Sequence, residues 1–437
     1  MMDGSAMRRA IARKRDGFAL DPSQWRSIVS AYLAGGVDDA QMAALLMASL
    51  CRGLNEDETL ALTDAFVASG ETLRPPGARV VDKHSSGGVG DSTSLIVVPW
   101  VAACGVVVAK LSGRALGHTG GTLDKMEAVE GVRTELEPHE FFVCLERAGC
   151  AIAAQSARLV PADKRIYALR DRTATVPSLG LIAASIASKK IAGGAHAIVY
   201  DVKTGRGALL PRFDQARRLA ETLVELSERF GRGATALVSD MDEPLGPSIG
   251  TGLEVCEARD FLRGRRRDPR LETLCFALAE AMLRVVSFPG DARAALRRAL
   301  AGGAAAERFE AMLRAQGALP GALERLAPHA VAADAHATGA GFVHGIDAVS
   351  LGETARTAVD RAGPRAGVFL RKRIGDPVQA GEPLATVYGD AALAPAIGHA
   401  FDIQAREPAK RPVIYVEIGS RATVAGGSAA RSTLETK

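Results

Sequence analysis

The sequence predicts an α/β protein with a small all-helical domain, a large mixed α/β domain around a central, mainly parallel sheet, and a β-rich C-terminal subdomain. Helical patterns fill residues 22–70, and from Val80 glycine-rich turns alternate with continuous apolar runs. Short β patterns separated by Gly-Asp and Gly-Glu turns follow in residues 366–390. The 437 residues are enough for two or three domains, each with its own core.

Composition and charge limit the class of function. A hydrophobic content of 47% with 24% charged residues is typical of a soluble globular protein. The net charge of +4 gives no strong field for nucleic acid or anionic lipid, so any bound anion must be held by a local site. No apolar run reaches the roughly 18 residues of a membrane span, and no signal segment follows the basic start. The sequence therefore predicts a cytoplasmic protein without nucleic-acid or membrane partners.

The six cysteines include no CxxC pair, and most lie in apolar surroundings. Buried, reduced thiols are therefore favoured over disulfides or a zinc site.

The helical domain is predicted for residues 1–72, joined by about 160–194. Its helices are "PSQWRSIVSAYLAGG", "DDAQMAALLMASLCRGL" and "NEDETLALTDAFVASGE", the last starting with a capping box of Asn55 and Glu58. The prolines of "LRPPGARV" then indicate a linker or hinge. A later helix, "SLGLIAASIASKKIAGG" (178–194), is expected to rejoin this domain.

The α/β domain is predicted for residues 73–159 and 195–340. Its apolar runs "SLIVVPWVAACG", "GVVVAKLSG", "AHAIVYDVK" and "GATALVSDM" are typical of strands buried on both faces of a parallel sheet. Residues 270–327 are alanine- and leucine-rich helices. The charged "RGRRRDPR" before them has no interleaved aromatic residues, so a solvated loop is favoured over a nucleic-acid contact.

The β-rich subdomain is predicted for residues 341–425, with 426–437 as a disordered tail. The segment "AGVFLRKRIGDPVQAGEPLATVYGD" is patterned like biotinyl and lipoyl carriers but lacks a Met-Lys-Met or Asp-Lys-Ala turn for cofactor attachment. A structural subdomain is therefore predicted. A catalytically silent carrier or binding protein is the alternative from a different class.

Two glycine- and hydroxyl-rich segments predict an anion site. They are "KHSSGGVGDSTS" (83–94) and "KLSGRALGHTGGTLDK" (110–125). Glycines let backbone N–H groups converge on an anion, and hydroxyls add further donors. The alternative is that these glycines only form turns. Neither GxxxxGK[ST] nor GxGxxG occurs, so nucleoside triphosphate hydrolysis and dinucleotide binding lose their main support.

A third segment, "ADKRIYALRDRTATVPSLGLIAASIASKK", predicts a site for a planar ring. Ser185 and Lys189 are four residues apart and share one helix face, and Arg170 lies upstream. A guanidinium, an ammonium and a hydroxyl together could hold a carbonyl-bearing ring that becomes electron-rich. Taken alone, these residues would more often form a solvated helix face.

"DKHSSGGVGD", "SGRALGHTGGTLDKME" and "PADKRIYALRDRTATV…SIASKK" resemble the signature segments of the thymidine and pyrimidine-nucleoside phosphorylases. The order of the domains is also similar over nearly the whole chain. The resemblance implies a homodimer formed through the helical domain, with a cleft that closes between the domains. It further implies reversible phosphorolysis of thymidine, deoxyuridine and uridine to free base and (deoxy)ribose 1-phosphate, with inorganic phosphate as co-substrate and no organic cofactor.

The resemblance also implies the substrate ligands. Those for phosphate would be Lys83, Ser85, Ser94, Ser112 and Thr122. Those for the nucleoside would be His84, Lys110, Arg170, Ser185 and Lys189. Among these, His84, Arg170 and Lys189 would be catalytic, with His84 as general acid or charge-stabilising donor at the base O2. Lys110 matches the lysine of members that accept ribose as well as deoxyribose; the alternative is a lysine with no role in specificity. His118 is expected to shape the second loop.

Broad-specificity members of this family bind potassium, and the resemblance implies a site for that ion here. Its ligands would be Gly90, Ser92, Leu245, Ser248 and Glu257. However, "PLGPSIGTGLEVCEA" has Thr251-Gly252 where the family has Asn-Ala, so loss of the site is the alternative.

Two enzymes of similar architecture remain as alternatives. A nucleoside-monophosphate phosphorylase usually carries an additional N-terminal domain, and a phosphoribosyltransferase of the anthranilate type would need a paired acidic motif for metal and pyrophosphate. Neither feature is visible in this sequence.

Overall fold

The structure is a computed structural model that describes residues 4–114 and 120–419. The predictions for His118 and for the tail 426–437 fall outside the described residues. Within the described part, the three-part α/β architecture that the sequence predicts is confirmed.

The first unit is a bundle of four helices. They are α1 (Gly4–Arg15), α2 (Pro22–Leu33), α3 (Asp39–Arg52) and α4 (Glu56–Val67). Helices α2 to α4 were predicted and α1 was not. The Asn55 capping box at α4 is confirmed, because the Asn55 side chain accepts from the Glu58 N–H at 2.8 Å and Glu58 accepts from the Asn55 N–H at 3.2 Å.

Five parallel strands form the centre of the α/β unit, in the spatial order β5-β4-β1-β2-β3. They are β1 (Val80–Ser85), β2 (Val107–Ser112), β3 (Cys150–Ala154), β4 (Ala197–Thr204) and β5 (Gly233–Asp240). Strands β1, β2 and β4 are almost wholly buried, as expected of a parallel sheet covered on both faces.

Helices follow and cover this sheet. They are α5 (Thr93–Ala103), α6 (Thr122–Glu127), α7 (Pro138–Ala148), α8 (Pro161–Arg172), α9 (Leu179–Ala192), α10 (Phe213–Arg229), α11 (Thr251–Leu262), α12 (Pro269–Val285), α13 (Ala292–Ala301), α14 (Ala304–Ala315) and α15 (Ala322–Arg325). Helix α8 contacts α2, α3 and α4, whereas α9 packs between α4 and α10. Residues 161–192 therefore pack against the N-terminal bundle and connect it to the α/β unit.

The run "SLIVVPWVAACG" forms α5, so its assignment to a strand was wrong. All residues from Thr93 to Ala102 are buried, and the helix packs against α12 and α14. A helix that is hydrophobic on every side has no periodicity that separates it from a buried strand. Pro99 was the available signal, because proline is excluded from the centre of a sheet.

The C-terminal region contains two antiparallel sheets and two helices. Its elements are β6 (Ser248–Ile249), β7 (Val331–His336), β8 (Gly341–Ile346), α16 (Ala348–Ala362), β9 (Gly367–Leu370), β10 (Pro377–Val378), β11 (Pro383–Tyr388), α17 (Ala394–His399), β12 (Phe401–Gln404) and β13 (Ile414–Gly419). One sheet has the order β6-β9-β11-β7 and the other β10-β8-β12. The chain then returns to the central sheet, where β13 pairs antiparallel with β5.

All six cysteines are free, and Cys144, Cys150, Cys256 and Cys275 are buried. Residues 263–268 form the expected loop between α11 and α12. None of the helices in the described ranges is long and apolar enough to span a membrane.

Candidate active site

A cavity of about 610 Å³ lies between the carboxyl ends of β1 and β2 and the helices α8 and α9. Seven of the ten predicted substrate ligands line it: His84, Ser85, Lys110, Ser112, Thr122, Ser185 and Lys189. The carboxyl ends of parallel strands are the usual place for a ligand in an α/β sheet. The cavity thus joins the two predicted half-sites, one for an anion and one for a planar ring.

Asp91 organises the loop that follows β1. Its carboxylate accepts a hydrogen bond from Ser85 Oγ at 2.8 Å and another from Thr93 Oγ1 at 2.5 Å. Burial disfavours the charge on Asp91, but Lys203 and Lys83 outweigh this and hold its pKa well below the usual range. The ionised carboxylate fixes Ser85 at the cavity wall.

Lys83 and Ser94 do not line the cavity. The fully buried ammonium of Lys83 lies 2.7 Å from Thr93 Oγ1 and 3.3 Å from Asp201 Oδ2. Ser94 is buried in the first turn of α5. In this structure both residues therefore belong to the packing beneath the loop, and their assignment as phosphate ligands stays a prediction.

Two buried lysines lie on the anion side of the cavity. Lys110 Nζ donates to the Lys83 carbonyl at 2.7 Å, and Lys190 Nζ lies 2.8 Å from Asp82 Oδ2 and 2.6 Å from the Leu111 carbonyl. Burial, together with Lys190, lowers the pKa of Lys110 well below its ordinary value. Sequence reasoning missed Lys190, although a Lys-Lys doublet on an otherwise apolar helix was a signal.

His84 lies at the end of β1, with its ring 6.2 Å from the Tyr200 ring in an edge-to-face arrangement. Burial, followed by Lys190 and Lys110, lowers its pKa well below 6.5. The imidazole is therefore neutral at pH 7 in the substrate-free site. A neutral imidazole still offers one N–H donor.

The ring side of the cavity is formed by α8 and α9. Lys189 Nζ donates to Ser185 Oγ at 3.0 Å, which is the pairing that the four-residue spacing predicts. Tyr167 lines the same wall, with Lys189 Nζ 5.3 Å from its ring centroid. Sequence reasoning missed Tyr167 because one aromatic residue on a helix carries no distinguishing signal.

Arg170 lies outside the cavity lining. Its guanidinium donates to the backbone carbonyls of Val176 at 2.7 Å and Leu181 at 3.1 Å, and burial lowers its pKa. These bonds hold the turn between α8 and α9. Contact between Arg170 and a substrate remains a prediction.

The five predicted potassium ligands lie close together near the loop after β1. Glu257 accepts from Ser92 Oγ at 2.7 Å and from the Ser248 N–H at 3.3 Å, and the Leu245 carbonyl accepts from Arg373 Nη2 at 2.9 Å. A Cβ atom at Gly90 (φ +61°) would meet the Gly246 carbonyl at 2.8 Å and the Ser248 carbonyl at 3.2 Å. Carbonyl oxygens, a hydroxyl and a carboxylate are ligand types that suit a hard cation, but the Arg373 guanidinium already binds the Leu245 carbonyl and burial raises the pKa of Glu257 to about 7. Potassium binding here stays a prediction.

Family models assign the helical bundle and the α/β unit to a class of protein, the glycosyltransferases with these two domains. The "Glycosyl transferase family, helical bundle domain" matches residues 8–70, and the "Glycosyl transferase family, a/b domain" matches residues 77–306. The "Pyrimidine nucleoside phosphorylase C-terminal domain" matches residues 342–400.

The chain belongs to the thymidine and pyrimidine-nucleoside phosphorylase family. It is 43% identical to the pyrimidine-nucleoside phosphorylase of Geobacillus stearothermophilus, over 87% of this chain and 91% of the relative. It is 41% identical to the thymidine phosphorylase of Rhizobium meliloti (strain 1021), over 93% and 98% of the two chains. These relatives confirm the family that the sequence motifs indicated.

The anthranilate phosphoribosyltransferase structure from Thermus thermophilus has the same fold. Its TM-score is 0.57 at 21% identity, covering 70% of this chain and 99% of that one.

Proposed function

We propose that the protein catalyses the reversible phosphorolysis of pyrimidine nucleosides to free base and pentose 1-phosphate. One observation carries this proposal: a single cavity joins the hydroxyls of Ser85, Ser112 and Thr122 to Ser185 and Lys189 on α9. Relatives at 43% and 41% identity that are named pyrimidine-nucleoside phosphorylase and thymidine phosphorylase support the same reaction.

Phosphate binds on the strand side of the cavity. The hydroxyl residues Ser85, Ser112 and Thr122 line this space together with Gly88 and Gly121 and with Lys110 and Lys190. Hydroxyl and backbone N–H donors of this kind suit an anion. Burial lowers the pKa of both lysines, and an arriving anion would favour their charged forms. Phosphate is already anionic and attacks the sugar carbon without a general base, so the site has only to hold it in position.

The pyrimidine leaves from the helix side. Cleavage of the glycosidic bond builds negative charge on the base while the sugar becomes oxocarbenium-like. The neutral His84 donates its N–H to the base O2, and Lys189 and Ser185 donate to the other polar ring atoms. Donors fixed before the reaction stabilise this charge without having to reorganise. Lys83, Ser94 and Arg170 do not line the cavity, so their contact with the substrates would require the cleft between the domains to close.

Lys110 determines whether ribose is accepted. Its ammonium uses one N–H on the Lys83 carbonyl at 2.7 Å, which leaves two donors for a sugar hydroxyl. We expect Lys110→Met to lower kcat/KM for uridine about tenfold more than for thymidine, because only uridine has the 2′-hydroxyl. Steady-state kinetics with both nucleosides check this, and equal losses would remove Lys110 from sugar selection.

Three further features belong to this proposal: a homodimer formed through α1 to α4, a bound potassium ion, and a cytoplasmic setting. The mass in solution, measured by analytical ultracentrifugation, tests the first. A monomer at all concentrations would contradict it.

The experiment that tests the reaction is incubation of the protein with thymidine or uridine and inorganic phosphate. We expect phosphate-dependent release of free base, followed by absorbance and chromatography. Thymidine monophosphate, and thymine with phosphoribosyl pyrophosphate, serve as controls for the two enzymes of similar architecture. Release from the monophosphate alone, or no release from any nucleoside, would overturn the proposal.

A further inference from the structure

Asp163 on α8 is a buried acid with an unusual environment. Its exposed fraction is 1%, and its Oδ2 lies 2.6 Å from Lys189 Nζ. Neither carboxyl oxygen accepts a hydrogen bond with donor geometry from the residues that the structure describes. A buried carboxylate that accepts no hydrogen bond depends on nearby cations for its stability, and here Lys189 is in direct contact with it while Arg170 contributes charge from further away.

Stabilisation of the helix does not account for this placement. Asp163 is the third residue of α8, where an acidic side chain commonly accepts hydrogen bonds from the first backbone N–H groups. Here those bonds are not made: the N-cap position is Val160, whose φ of 46° and ψ of 50° are left-handed, and its side chain cannot cap. The carboxylate is directed to α9 instead.

The contacts of Lys189 show what this pairing does. The ammonium of Lys189 has three N–H donors. It donates to Ser185 Oγ at 3.0 Å and is held beside the Asp163 carboxylate as an ion pair at 2.6 Å. Lys189 also lines the cavity, so its remaining donor capacity is available to a ligand there. Because Ser185 Oγ accepts from Lys189, its own proton is free to be donated to a ligand. One carboxylate thus sets the orientation of two donors.

The wall beneath these donors is also fixed. Tyr167 lies one turn after Asp163 on α8, with Lys189 Nζ 5.3 Å and the Arg170 guanidinium carbon 5.5 Å from its ring centroid. The ring limits how far Lys189 can swing. Asp163 on one side and Ser185 on the other then define a single position for the ammonium.

We propose that Asp163 is a positioning residue for the pyrimidine side of the site, holding Lys189 by an ion pair so that the ammonium and the Ser185 hydroxyl can both donate to the ring. This inference rests on the proposed phosphorolysis. Asp163 does not touch the substrate and acts only through Lys189. It should therefore affect the nucleoside and leave phosphate binding unchanged.

The test is Asp163→Asn, with kinetics measured for each substrate. We expect kcat/KM for thymidine to fall roughly 10-fold to 100-fold, with a higher KM for thymidine, because the ion pair that holds Lys189 in position is lost. The KM for phosphate should stay within about twofold of the wild type. A merely structural defect would lower the amount of active enzyme and change neither KM. Asp171→Asn is the matched control, because Asp171 is exposed on the same helix, and it should keep wild-type kinetics.

A double-mutant cycle with Lys189→Met decides whether Asp163 acts through Lys189. In the Lys189→Met background, Asp163→Asn should change kcat/KM by less than about twofold. If the Asp163→Asn variant does not fold, Asp163→Ser replaces it in the same cycle, because serine is also uncharged and its side chain is smaller.

Three outcomes would overturn the inference. The first is wild-type kinetics in Asp163→Asn, and the second is an equal rise in the KM for thymidine and the KM for phosphate. The third is a double variant whose loss of kcat/KM equals the product of the losses in the two single variants. A wild-type protein that releases no base contradicts the proposed reaction as well. An active wild type with a silent Asp163→Asn contradicts this inference alone.

Discussion

At the scale of single residues, the protonation of His84 makes the free energy of unfolding depend on pH. Its pKa is lowered in the folded protein by burial and by Lys190 and Lys110, whereas in the unfolded chain it is about 6.5. Below pH 6.5 the unfolded chain therefore binds a proton that the folded protein does not, so this contribution to stability is present above pH 6.5 and is lost as the pH falls. Between pH 6.5 and 5, we expect the free energy of unfolding to fall with pH more steeply in the wild type than in His84→Asn. The difference should be up to about 1.4 kcal/mol per pH unit.

Urea unfolding of both proteins across this pH range measures the difference, and every other titrating group is common to the pair. Parallel pH profiles for the two proteins would show that His84 is not buried as a neutral ring.

Residue spacing predicted part of the site, and tertiary contacts decided the rest. Ser185 and Lys189 were predictable because residues four apart on a helix must be neighbours, and the structure joins them at 3.0 Å. The partners of Arg170 were not, because the Val176 and Leu181 carbonyls depend on the path of a turn. Asp163 was missed for a similar reason: an acid in a first helical turn normally serves that helix.

At the scale of elements, one buried ion pair links α1 to α4, in addition to the packing of α1 on α3. Lys14 Nζ on α1 lies 2.6 Å from Glu58 Oε2 on α4, with 4% and 2% of their side chains exposed. Glu58 also accepts from the Leu20 N–H at 2.9 Å. Glu58→Gln leaves the Lys14 charge buried without its partner, so we expect a loss of about 3–5 kcal/mol in the free energy of unfolding.

Asp64→Asn is the control on the same helix, because it breaks the exposed pair with Arg26 at 2.8 Å. It should cost no more than about 1 kcal/mol in urea unfolding. Similar small losses in both variants would show that the buried pair does not hold α1 in place.

The elements differ in how well the sequence predicted them, for physical reasons. Helices α2 to α4 carry caps and an apolar stripe, which are local signals. Helix α5 carries no stripe, because every side of it is buried. The antiparallel pairing of β13 with β5 joins residues far apart in the chain, and no local pattern records it.

At the scale of the whole molecule, the potassium residues connect two parts of the fold. Glu257 lies on α11, Ser92 follows the first glycine loop, and Ser248 lies in β6, which pairs with β9 of the C-terminal sheet. A cation bound among these groups would tie the C-terminal sheet to the loop that shapes the anion site. Because such an ion binds only the folded chain, it must stabilise that chain by mass action.

We therefore expect the Tm to be higher in potassium chloride than in choline chloride of equal ionic strength, with an increase that saturates. At a potassium concentration of about 100 Kd the stabilisation would be about 2.7 kcal/mol. Glu257→Gln removes the only carboxylate among the five ligands, so its Tm should not respond to potassium, whereas Asp64→Asn should respond as the wild type does. Equal melting of the wild type in both salts would mean that the segment with the divergent Thr251 and Gly252 no longer holds the ion. The hydrogen bonds from Ser92 and Ser248 to Glu257 would then suffice to join the two parts.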